Sequence, residues 1–287
     1  MKVDKAIILA GGLGTRLKPF TNYVSKHLLP LYNKPIIYYP LANIMSAGIR
    51  NILLISNPEH IISYKKIFGD GSKYGITIRY KKQLEPKGIP EAFIIGRDFI
   101  KKSPVCLNLG DHILYGKNLD KILYNTAQNF NTSTIFSAKT SFVNDSGVPI
   151  LNNRGKLIKI IEKPKKNKSK KIICGIYFYD NDVINKSIKL RPSKRKEIEI
   201  TDLNNSYIRE NKLKIINFAP NIYWHDAGDL NKIYEASKKI KQYETKVGHV
   251  ASIEKIALEK KFINKREYLM LAEQNSYLYS KYLKNLL

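Results

Sequence analysis

The chain has 287 residues, 43% hydrophobic and 26% charged, enough for a sizeable core in one large domain or a domain with an appendage, and unlike a disordered chain. Its 50 Lys and Arg against 24 Asp and Glu give a formal charge of +26, which favours anionic partners. No stretch approaches the roughly 20 apolar residues of a membrane span, and the first apolar run is shorter than a signal-peptide core, so a cytoplasmic protein with no membrane partner is expected.

In chain order, residues 6–10 read as a buried strand that ends in the glycine loop GGLGTRLKP, Gly11 to Pro19. Glycines there let backbone N–H groups approach an anion, and Arg16 adds a planar fork suited to phosphate oxygens, so the loop is expected to hold a polyphosphate. It is neither of two well-known phosphate loops. Leu17 stands where a dinucleotide fingerprint beginning at Gly12 needs glycine, and Arg16 or Leu17 stands where a P-loop needs its second glycine. Residues 35–48 read as a helix opened by proline, 49–56 as a strand, 59–68 as a helix and 76–81 as a strand, the opening of an α/β sheet. A helix over 91–101 precedes an apolar strand, 105–111, that carries Asp111 at its carboxyl end, where open α/β sheets bind ligands.

A helix near 119–129 and a strand at 133–139 follow. Gly147, Asn152-Asn153 and Gly155 then mark the turns of a ribbon. Residues 172–179 and 213–218 read as strands, and from Leu230 onward the pattern is helical, with starts at Ser252 and at Asn264, the latter paired with Glu267 in a capping box. Leu278, Tyr282 and Leu286 share one helical face, suited to core packing or to a subunit contact. Cys106 and Cys174 lie in apolar runs and read as buried free thiols. The basic runs 163–171 and 191–196 have no interleaved aromatics and no groove-reading motif, which favours a solvated surface over nucleic-acid binding.

Read together, LAGGLGTRLKP, SKHLLP, Gln83 with Gly88, LGDHILYG, IEKP, GIYFYDND, EIEITDLN and WHDAG resemble the sugar-1-phosphate nucleotidyltransferases. The likeness is greatest to the glucose-1-phosphate thymidylyltransferases, runs from about residue 4 to the C-terminus and keeps the family's motif order. The expected fold is α/β: a three-layer α/β/α, Rossmann-like nucleotidyltransferase domain with a mixed, mainly parallel sheet. A catalytic unit would span 1–229, with a nucleotide half about 1–115 and a sugar half about 116–229. A helical extension, 230–287, would serve a homo-oligomer, tetramer or dimer.

The resemblance implies Mg²⁺-dependent nucleotidyl transfer from dTTP to glucose 1-phosphate, giving dTDP-glucose and pyrophosphate for dTDP-rhamnose or related surface-sugar synthesis. It places Leu9, Gly11, Gly12, Gly14, Thr15 and Arg16 along the nucleotide, with Arg16 steadying the pyrophosphate and Lys26 on the phosphates undergoing transfer. Gln83 and Gly88 would meet the pyrimidine edge. Gly147, Glu162, Lys163 and Ile173 fall on the sugar side, with Lys163 meeting the sugar phosphate, and Asp111 and Asp226 would hold the metal. An inhibitory site for a deoxysugar nucleotide also belongs to the family pattern, but no effector residue is matched here.

Several positions depart from that pattern. His112 stands in place of Asn, Glu91 of Gln, Ser146 of an aromatic and Pro149 of Val, while Ala227 and Asp229 replace threonines. Ser146 removes a stacking surface on the sugar side and leaves a different hexose 1-phosphate open. His112 and His225 beside two carboxylates raise zinc, against which neighbouring strand residues point to opposite faces. UTP or CTP with another sugar 1-phosphate is the alternative within the class; a basic nucleic-acid-binding or regulatory protein on a transferase scaffold is the alternative outside it.

Overall fold

The structure, a computed structural model, describes residues 1–140, 146–164 and 169–287. Of the basic run 163–171, residues 165–168 lie outside the described residues. The first strand, β1 (Lys5–Ala10), shows why the apolar runs become central strands: Ala6, Ile8 and Ala10 enter one core and Ile7 the other. A strand covered on both faces needs apolar residues at every position, and these runs supply them.

Pro35 does not open a helix. Pro30–Leu31 (β2) and Lys34–Pro35 (β3) form a small antiparallel ribbon, and helix α1 begins later, at Tyr38–Ser46. Next come β4 (Asn51–Ser56), α2 (Pro58–Phe68) and β5 (Thr77–Lys82), with Pro58 at the first turn of α2. The single helix expected over 91–101 is two, α3 (Glu91–Ile95) and α4 (Arg97–Ile100), separated by Gly96. A side chain on Gly96 would lie 2.8 Å from Ile7, so the helices sit down on β1 at that point.

Strand β6 (Val105–Leu109) is shorter than expected, because Gly110 and Asp111 turn the chain into β7 (His112–Gly116), a strand the sequence did not disclose. Helix α5 (Leu119–Gln128), β8 (Ser133–Lys139), the ribbon β9 (Gly147–Leu151) with β10 (Leu157–Glu162), and β11 (Lys171–Tyr179) follow. Helices α6 (Val183–Lys189) and α7 (Ile200–Arg209) also went unread; they precede β12 (Leu213–Asn217) and β13 (Ile222–Asp226).

Seven strands form the main sheet in the order β12-β8-β11-β6-β1-β4-β5. All neighbours are parallel except β11, which runs antiparallel to both β6 and β8. One face packs on α1, α2 and α5, and the other on α3, α4, α6 and α7, giving the three-layer α/β/α architecture.

Beyond residue 229 the chain forms α8 (Leu230–Lys246), α9 (Ile253–Glu259), α10 (Lys265–Glu273) and α11 (Tyr277–Lys284). The capping box forms as expected, with Asn264 and Glu267 each accepting from the other's backbone N–H. Of the two uses open to the stripe on α11, core packing holds for Tyr282 and not for Leu278. Leu278 is 77% exposed, while Tyr279, Tyr282 and the fully buried Leu283 face the core, so the buried face is turned one residue along. Cys106 and Cys174 are free thiols buried in the core, and no helix among the described residues is long and apolar enough to cross a membrane.

Candidate active site

At the end of β1 the chain must pass close to Gln83: a Cβ on Gly11 would fall 1.8 Å from Gln83 Oε1 and 3.3 Å from Asn57 Oδ1. Gly14 takes φ +62°, which glycine adopts without strain, and its carbonyl accepts from Thr21 Oγ1 at 2.8 Å. One 3₁₀ turn, Thr15–Leu17, then anchors buried Leu17 and leaves Thr15 and Arg16 exposed toward a cavity. This cavity, about 250 Å³, gathers Arg16, Lys26, Lys163 and Lys232 with Asp111 and Asp226. Four cationic side chains around two carboxylates have the chemistry to take a polyanion together with a metal.

The two carboxylates come together through the unread strand. β7 pairs antiparallel with β13, His112 opposite Asp226, and Ala227 N–H continues the ladder by donating to Asp111 O at 3.1 Å. Each carboxylate already has a lysine. Lys26 Nζ donates to Asp111 Oδ2, and Lys232 Nζ donates to Asp226 Oδ2 at 3.0 Å while Gly228 N–H holds Asp226 Oδ1 at 2.8 Å. Burial is the largest single influence on Asp111 and raises its pKa, but the charge and hydrogen bond of Lys26 together with His112 and His27 outweigh it and hold the carboxyl well below its ordinary range.

The role of His112 is set by its neighbours. Its Nδ1 accepts from Gly175 N–H at 2.9 Å, where β11 shifts register against β8, and from Trp224 Nε1 at 3.1 Å. Burial lowers the pKa of this imidazole, so the ring is neutral and its proton sits on Nε2. Neither nitrogen then offers a lone pair to a metal, which argues against zinc. A Cβ on Gly175 would stand 2.3 Å from the ring, so the glycine is what admits it. His225 meets Tyr115 Oη at 3.4 Å, and burial followed by the charge of Lys239 lowers its pKa to about 4.

Gln83 is buried at 3% exposure, and its amide is oriented by Glu91: Gln83 Nε2 donates to Glu91 Oε2 at 2.7 Å, and Lys87 N–H donates to the same oxygen at 3.0 Å. Because an ionised carboxylate only accepts, Nε2 must face Glu91 and Oε1 must face Gly11. Gly88 has φ +117°, and a side chain there would collide with the Ile198 carbonyl at 2.1 Å, a backbone reason for glycine besides any contact with a base. Leu9 sits half-buried against the second core, with its carbonyl accepting from Gly110 N–H at 2.9 Å; Gly12 lies beside the Lys26 side chain.

A second cavity of about 140 Å³ shares His112, Ser146 and Lys163 with the first and is lined by Gly147, Glu162 and Ile173. Here the structure adds residues that were not singled out. Arg195 donates to both oxygens of Glu199, at 3.2 and 2.7 Å, and to Glu162 Oε1 at 3.3 Å, while Thr201 Oγ1 donates to Glu162 Oε2. Glu199 and Thr201 belong to the EIEITDLN motif, whose presence was legible; Arg195 precedes it inside a basic run that hid it. Lys232 had no signal at all, since nothing local distinguishes it from other lysines of α8.

The chain belongs to the nucleotidyl transferase family, whose model matches residues 5–243. Among its relatives is the glucose-1-phosphate thymidylyltransferase of Neisseria meningitidis serogroup A, 42% identical over 254 residues and covering 88% of each chain. The Mycolicibacterium smegmatis glucose-1-phosphate thymidylyltransferase is 40% identical over 261 residues, 91% of this chain and 90% of the relative. A crystal structure of a Bacillus anthracis protein assigned as a glucose-1-phosphate thymidylyltransferase, in complex with a sucrose, superimposes with TM-score 0.74 at 33% identity, over 82% of this chain and 94% of that one.

Proposed function

We propose that the protein transfers a thymidylyl group from dTTP to glucose 1-phosphate, giving dTDP-glucose and pyrophosphate, as the names of its relatives suggest for this chain. The observation that carries this reading is the continuous pair of cavities. One collects Arg16, Lys26, Lys163, Asp111 and Asp226, and the other, opening beside it, offers Glu162, Gly147 and Ile173.

A sugar phosphate is already ionised near neutral pH and is itself the nucleophile, so no general base is needed. What the residues must supply is alignment and charge neutralisation. Lys163, at the junction of the cavities, would meet the attacking phosphate; Lys26 and Arg16 would neutralise the α-phosphate and the departing pyrophosphate. Glu162, held by Arg195 and Thr201, would accept from sugar hydroxyls. Gln83, its Oε1 aimed past Gly11, would accept from the N3–H of thymine or uracil.

The two carboxylates suit Mg²⁺, a hard ion commonly bound through one or two carboxylates and completed by phosphate oxygens. Asp111 and Asp226 would hold it, and when bound it supplies Lewis-acid stabilisation of the phosphates. On this reading residues 1–229 form the catalytic unit and 230–287 an extension that supports a homo-oligomer, although Lys232 of α8 already lines the catalytic cavity.

The test is pyrophosphate release with Mg²⁺ from each of dTTP, UTP, CTP, ATP and GTP against a panel of sugar 1-phosphates. Release fastest with dTTP and glucose 1-phosphate supports the reading. Release fastest with another pair reassigns the substrate, with Ser146 the first residue to examine.

A further inference from the structure

The known needs of the reaction account for Lys26 on Asp111, but not for a second lysine on the second carboxylate. Lys232 Nζ lies 3.0 Å from Asp226 Oδ2, with the two side chains 14% and 15% exposed, and it lines the same cavity as Arg16, Lys26 and Lys163. Its backbone is pinned by the Asp229 cap, which accepts from Lys232 N–H at 2.9 Å. The first turn of α8 therefore aims this ammonium at the carboxylate.

We propose that Lys232 occupies Asp226 in the ligand-free enzyme and yields it to the metal as the nucleotide's polyphosphate arrives. The inference rests on the proposed function above. An ammonium at hydrogen-bond distance opposes a divalent ion at that carboxylate by direct charge repulsion and by competition for its oxygens. With Gly228 N–H on Oδ1, both Asp226 oxygens have donors before any metal enters. A triphosphate changes the balance, since it brings oxygens for the metal and an anion for the displaced ammonium. Lys232 thus disfavours metal binding without nucleotide and then joins Arg16 and Lys26 in neutralising phosphate charge.

Two variants separate these roles from a structural one. Lys232→Met and Lys232→Gln are compared with wild type and with Lys238→Met, which alters an exposed lysine of the same helix. Mn²⁺ binding to each full-length protein without nucleotide is followed by electron paramagnetic resonance, with thermal melting as the check on folding. The two Lys232 variants are expected to bind Mn²⁺ at least about 10-fold more tightly than wild type and to lose about 10-fold or more in kcat/KM for dTTP. Lys238→Met is expected to change neither. Unchanged Mn²⁺ affinity in both folded Lys232 variants overturns the proposal, and so does an unchanged kcat/KM. If wild type releases no pyrophosphate with any substrate pair, the proposed function fails, while the Mn²⁺ comparison still decides whether Lys232 opposes metal binding.

Discussion

Glu91 shows how a departure from a family pattern can be chemically specific. A glutamine at this position could present either a donor or an acceptor to Gln83, whereas the carboxylate admits only one amide orientation. We expect Glu91→Leu to free the Gln83 amide and raise KM for dTTP about 10-fold with a smaller effect on kcat, consistent with roughly 1.5 kcal/mol for a hydrogen bond to a charged group. Steady-state kinetics check this; an unchanged KM would remove Gln83 orientation from the account. Asp111→Asn is expected to lower metal-dependent turnover by at least about 10³-fold while the circular dichroism spectrum and melting temperature stay near wild type. Turnover within a few-fold of wild type would exclude Asp111 from the metal site.

At the scale of elements, the C-terminal helices meet at a buried carboxyl group. Glu254, in the first turn of α9, is 1% exposed, and Tyr279 Oη of α11 donates to it at 3.2 Å. Burial raises its pKa above the ordinary 4.5. The unfolded chain therefore releases this proton at lower pH than the folded one, and stability falls as pH rises from about 4.5 through the folded-state value. Glu254→Gln keeps an acceptor for Tyr279 and removes the charge. It is expected to stabilise the protein by about 1 kcal/mol at pH 7, with the gain vanishing near pH 4, as read by urea denaturation at the two pH values. A gain of equal size at both would assign the effect to packing instead.

For the whole molecule, the dominant property is charge. A formal +26 raises the local concentration of a polyphosphate over the entire surface, beyond the lysines and arginine that line the cavity. Raising NaCl from about 50 to about 500 mM shortens the screening length from roughly 14 to roughly 4 Å and should lower kcat/KM for dTTP several-fold, mainly through KM. Stopped-flow binding or initial rates across that range would measure it; a salt-independent kcat/KM would confine the useful charge to the site itself.

Much of this organisation was legible in the chain. Apolar runs covered on both faces have one stable fate, and β1, β4, β6, β8 and β11 were read within a few residues of their limits. Glycine-rich and charged motifs pointed to Arg16, Lys26, Asp111, Lys163 and Asp226, which one cavity brings together. What the sequence could not decide were contacts made across distance. The short strand β7 has no meaning until β13 pairs with it, yet that pairing sets Asp111 beside Asp226. Arg195 is one basic residue in a run until Glu199 and Glu162 take its guanidinium, and Lys232 is an ordinary helix lysine until α8 docks against the site. Local sequence determines which segments are buried and which turns are possible. Which distant side chains meet is decided by packing, because the energy that pairs them exists only once both elements are in place.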